Sequence, residues 1–144
     1  VLHNIYPAAL PAPLGQLVCE SPLSAPGRHA SHQGGEVRFY SAPPVNTEMF
    51  FTARGLRRIS RRDRYAVWLL PAAGTLSGGY VLQHGAAPQL VGFIEPPVGA
   101  AGRVTVTGVL TASVQGIYKL LVTVQRNSSS RTPGVTVLQG FVNF

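Results

Sequence analysis

The sequence predicts an all-β fold, a two-layer antiparallel β-sandwich of about eight strands with an extended N-terminal arm. Its 144 residues suffice for one domain, and a chain of that size buries about two thirds of the surface it exposes when unfolded. With 16 Gly and 12 Pro the chain is punctuated too often for long helices. Between these breaks lie short runs rich in Val, Ile, Phe, Tyr and Thr, several alternating apolar and polar residues, and no stretch holds a helical period.

Residues 1–35 form the arm. Pro7, Pro11, Pro13, Pro22 and Pro26 each remove a backbone donor and fix φ, so the segment is a poor candidate for a helix or a central strand. Its apolar residues Leu2, Ile5, Tyr6, Leu10, Leu14, Leu17 and Val18 are too many for a solvated linker. They call for a surface, either on the same domain or on a neighbouring copy.

The domain proper is 36–144. Its strands are expected at 36–40, 48–53, 64–70, 79–83, 89–94, 103–109, 118–124 and 134–142. In the seventh, Tyr118, Leu120, Val122 and Val124 alternate with Lys119, Leu121 and Thr123, which gives it one buried face. The run Tyr65-Ala66-Val67-Trp68-Leu69-Leu70 is apolar on both faces and reads as a central strand with Trp68 near the core centre. Tyr65, Val67, Trp68, Leu120 and Val122 are the expected core residues. Turn chemistry falls between the runs, for example at Pro71-Ala72-Ala73-Gly74 and from Asn127 to Pro133.

The segments Gly55-Leu56, Tyr65-Ala66-Val67-Trp68-Leu69, Gly102-Arg103-Val104-Thr105-Val106, Leu121-Val122-Thr123-Val124 and Val137-Leu138-Gln139-Gly140 carry a resemblance. Over about 36–140 the chain resembles the extracytoplasmic C-terminal domain of anti-sigma-K-type factors. The resemblance implies a near eight-stranded sandwich outside the cytoplasm. It rests on core and turn positions and therefore speaks for fold more than activity. After Val124 the chain departs from the family pattern and reads Gln125-Arg126-Asn127-Ser128-Ser129-Ser130.

Charge is sparse, at 12% of residues, but unevenly placed, with a formal net charge of +7. Arg54, Arg57, Arg58, Arg61, Arg62 and Arg64 hold half of the 12 lysines and arginines. Such a run is either a solvated inter-strand loop or a binding surface for an acidic partner or glycan, since guanidinium groups bind carboxylates, sulfates and phosphates in bidentate fashion. Nucleic acid is disfavoured, because no aromatic residue is interleaved to stack on bases.

No chemistry-bearing motif accompanies this run. The lone Cys19 with His3, His29 and His32 lacks the paired spacing of a structural zinc site, and His84 stands alone, so neither metal nor cofactor is expected. Asp63 is the only aspartate, and no nucleophile has a recognisable base and orienting group beside it, which argues against an enzyme. Asn127-Ser128-Ser129 fits an N-glycosylation acceptor. No apolar run reaches the length of a membrane span. Val1 would follow either a cleaved signal peptide or a removed span. The functional expectation is an extracellular structural protein whose copies assemble, as a filament or sheath, through the arm. The alternative is the exterior sensor of a membrane-anchored, anti-sigma-like regulator.

Overall fold

The structure, a computed structural model, describes residues 15–27, 32–42, 46–60, 62–74, 80–82, 87–94, 102–110, 114–126 and 132–144. These residues contain nine strands: β1 Leu17–Ser24, β2 Gly34–Ala42, β3 Asn46–Arg54, β4 Arg64–Gly74, β5 Tyr80–Leu82, β6 Gln89–Ile94, β7 Val104–Leu110, β8 Ile117–Gln125 and β9 Val135–Asn143. All pairings are antiparallel. The strands join in the order β5-β4-β8-β9-β1-β2-β3-β7, with β6 also paired to β4. This one sheet is curled until it is nearly closed into a barrel. Among the described residues there is no helix long and apolar enough to cross a membrane.

All eight expected strands are present, and the all-β expectation holds. Alternation predicts an inside and an outside for each strand, but two facing layers and one curled sheet share that pattern. The turn expected at Pro71 is instead strand. β4 pairs with β6 through Tyr65 to Leu69 and with β5 through Ala72 to Gly74. Pro71 falls at this change of partner, where a missing N–H leaves least unpaired.

One core fills the curled sheet. Val37 and Phe39 of β2, Met49 and Phe51 of β3, Val67 and Leu69 of β4, Leu120 and Val122 of β8, and Leu138 and Val142 of β9 are all buried there. At one end Phe144 packs edge-on against Phe39, with centroids 4.8 Å apart, and against Tyr118. Its N–H donates to the carbonyl of Gly116 at 2.8 Å, tying the last residue to the start of β8.

The segment read as an arm contributes β1, which lies inside the sheet between β9 and β2. From Cys19 to Ser24 it runs in register with β2, and a bulge sets Val18 out of the ladder. Its contact with β9 is narrower, with the single ladder pair Ser24↔Gln139. The expectation that proline keeps this segment out of a sheet interior fails because β1 lies close to β9 without a full ladder. Gly140 makes this possible: a Cβ added there would lie 2.6 Å from the carbonyl oxygen of Pro22 and 2.8 Å from Leu23 Cδ2.

Tyr65, Val67, Leu120 and Val122 lie in the main core as expected, but Trp68 does not. Successive strand residues face opposite ways, so Trp68 joins Ala66 and Leu121 in a second cluster on the other face of β4, with Leu70 and Phe93 against it. Trp68 is only 1% exposed. Its Nε1–H donates to Thr123 Oγ1 at 2.9 Å, and that hydroxyl donates to Gln125 Oε1 at 2.7 Å. Gln125 Nε2 in turn donates to the Thr132 carbonyl, and Gln125 Oε1 accepts from Gly134 N–H. This polar chain satisfies the buried indole and fastens the start of the β9 segment to the end of β8.

Candidate functional site

β3 and β4 are consecutive in the chain but separated in the sheet by β8, β9, β1 and β2. The connection 55–63 must therefore travel across the end of the curled sheet. β6 finishes at this end, opposite Tyr65 at the start of β4, and β7 begins here, opposite Ala53 at the end of β3. The connection 55–63 touches the approach to β7 where Leu56 N–H donates to the Gly102 carbonyl at 3.1 Å. Gly102 has φ +67, and a Cβ there would sit 2.4 Å from both Leu56 N and Leu56 O, so only glycine permits this approach.

The connection 55–63 is held down along its length. Leu56 is buried in the main core and Ile59 packs against it. Tyr65 Oη–H donates to the Arg57 carbonyl at 2.6 Å, and Asp63 N–H donates to the Ser60 carbonyl at 3.0 Å. Burial raises the Tyr65 phenol above its ordinary range, with the Arg57 charge and hydrogen bond opposing, so the group is a neutral donor at physiological pH. With apolar residues pointing inward, the arginines are turned out. Arg57, Arg58, Arg62 and Arg64 are exposed.

Other parts of the chain extend this basic rim. Arg54 ends β3, and its guanidinium lies over Gly34, where an added Cβ would come within 2.8 Å of Nη2. Arg103 leads into β7, and Arg126 follows Gln125, the residue opposite Arg64. A shallow depression of about 500 Å³ is lined by His32, Arg54, Gly55, Leu56, Gly102 and Arg103.

Arg38 forms ion pairs with Glu20, at 3.2 Å, and with Glu36. Both lie on the exposed face of β1 and β2, and Glu36 lines a second depression together with Arg54 and Arg103 of the rim. Arg54, Arg57, Arg58, Arg62 and Arg103 have no carboxylate at ion-pairing distance among the described residues. The rim thus carries an excess of positive charge on a fixed backbone, with Asp63 and Glu36 as its neighbouring carboxylates.

Of the expected basic patch, Arg54, Arg57, Arg58, Arg62 and Arg64 are brought together, while Arg61 lies outside the described residues, as does the glycosylation candidate Asn127. Sequence reasoning missed His32, Arg103 and Arg126, for which only the pairing of distant strands supplies a signal. Of the expected assembly residues, Leu2, Ile5, Tyr6, Leu10 and Leu14 lie outside the described residues. Leu17 and Val18 are exposed at the start of β1, at 49% and 43%.

Of the weak metal candidates, His3, His29 and His84 lie outside the described residues. Cys19 is on β1, packed against the main core. Burial raises its thiol from 9.0 to about 11, opposed by a backbone hydrogen bond involving Asn143. The thiol is therefore protonated at neutral pH and a poor nucleophile. Because the folded-state pKa lies above the unfolded one, this group's contribution to stability is complete below pH 9.0 and is lost as pH rises toward about 11. Iodoacetamide at pH 8 should label the folded chain much more slowly than the urea-unfolded chain, and Cys19→Ala should flatten the alkaline loss of stability. Equal labelling rates would show that β1 does not shield the thiol.

Comparison with known proteins finds no matching family, no matching curated protein and no matching solved structure.

Proposed function

We propose that this chain is a non-enzymatic extracellular structural protein whose copies assemble through the N-terminal segment of one molecule packing on the sheet of another. The observation that carries the reading is the exposure of Leu17 and Val18 where β1 begins, continuous in sequence with Leu2, Ile5, Tyr6, Leu10 and Leu14. Apolar side chains left in water on a strand are available to a partner. The sheet order ends at β5 and at β7, and strands at sheet ends are the places where an extended, proline-interrupted peptide can add. A segment that leaves one copy and lands on the next makes a head-to-tail contact, which propagates into open fibres.

The position of β1 defines the truncation that tests this. Removing 1–35 would take away a strand from the sheet interior, whereas removing 1–14 leaves β1 whole. The full chain should form polymers visible by negative stain and light scattering. The chain lacking 1–14 should be monomeric, with the emission of Trp68, the single tryptophan, unchanged. Polymers that survive this deletion, or a full chain that stays monomeric at high concentration, would overturn the proposal.

A further inference from the structure

We propose that the arginine rim is a binding surface for an acidic polysaccharide, a chain of sulfate or carboxylate groups without bases. Three observations converge on it. Cations far apart in sequence meet at one end of the sheet, because the connection 55–63, the start of β7 and the end of β8 all lie there. The backbone that carries them is fixed by Leu56, Gly102 and the Tyr65 hydroxyl, so little order has to be gained on binding. Arg54, Arg57, Arg58, Arg62 and Arg103 have no carboxylate partner among the described residues. Exposed guanidinium groups in such an arrangement attract a repeating anion and pair with its oxygens in bidentate fashion.

The rings near the rim argue for a polysaccharide over a nucleic acid. Tyr65 is 3% exposed, and its hydroxyl is committed to the Arg57 carbonyl. Phe93 lies beneath the Arg64 guanidinium, 6.0 Å from its centroid. Among the described rim residues the exposed ring is the His32 imidazole, a smaller platform than the Phe, Tyr or Trp faces whose stacking supplies much of the affinity of single-strand binders. Pairing to a repeating anion needs only charge and spacing, which the rim offers.

The test uses the full chain with dextran sulfate, polygalacturonate and oligo(dT) as probes, titrated at several salt concentrations. Binding to one or both polysaccharides is expected, weakening steeply with salt and stronger than binding to oligo(dT). The two polysaccharides separate sulfate from carboxylate recognition. The variant R57S/R58S/R103S should bind about tenfold more weakly or worse, with a shallower salt dependence. Lys119→Ser, toward the opposite end of β8, should bind as the parent does. The Arg57 change spares the Tyr65 contact, because the acceptor is a backbone carbonyl, and Trp68 emission verifies the fold of each variant. Three results would each overturn the proposal: no polysaccharide binding at low salt, equal loss in the Lys119 variant, or oligo(dT) binding as tightly as the polysaccharides.

Discussion

Gly140→Ala is expected to destabilise the protein by about 2–3 kcal/mol, the range of a forced overpacking. The added methyl would lie 2.6 Å from the Pro22 carbonyl oxygen, 2.8 Å from Leu23 Cδ2 and 3.1 Å from Ser21 Oγ. A side-chain tip can swing aside, but the carbonyl belongs to the backbone of β1, so β1 must move away from β9 as a unit. Leu23, only 3% exposed, would move with it. Urea titration followed by Trp68 emission should show the midpoint falling by about 1 M or more. Gly74→Ala is the matched control, since the nearest atom to its added Cβ is Ile117 Cδ1 at 3.8 Å. That change should stay within about 0.5 kcal/mol of the parent. Equal effects from both would mean that β1 does not approach β9 at Gly140.

Trp68→Ala should cost more, about 3–5 kcal/mol, as a large buried aromatic is emptied from its cluster. Trp68→Phe separates the two contributions, because it keeps most of the ring volume and loses the N–H. Thr123 Oγ1 still donates to Gln125 but loses its donor, for an expected loss of about 1–2 kcal/mol. Thr123→Val removes the same contact from the other side and also frees Gln125 Oε1 of one partner. In a double-mutant cycle the Trp68→Phe and Thr123→Val effects should fall short of additivity by about 1 kcal/mol. Additive losses would show that the indole and the hydroxyl are not coupled.

What was legible in the sequence was what repeats every two residues. The eight expected strands carry their faces in their own composition, and Tyr65 to Leu70 declared an interior strand by being apolar on both sides. The same run could not say that its faces serve different clusters, because whether Trp68 meets the main core depends on how the sheet curls. β1 went unread for a related reason. Its prolines argue locally against a sheet interior, and the glycine that admits it sits at the far end of the chain. The basic patch was half visible: 54–64 is a contiguous run, but Arg103, Arg126 and His32 join it only through the pairing of β3 with β7, β4 with β8 and β2 with β3.

The contact between β1 and β9 also sets the timetable of synthesis. Of the nine described strands, the first to be synthesised borders the last, and β4 waits for β8 in the same way. Until residue 117 and beyond have been made, the growing chain can close hairpins such as β2 with β3, but it cannot bring its two halves together. The inward faces of β2, β3 and β4, with Phe39, Phe51 and Leu69, stay uncovered throughout that interval. Folds dominated by such distant pairings form slowly and are open to wrong partners while they wait. Among the described strands, joining β4 to β1 waits for β8 and β9.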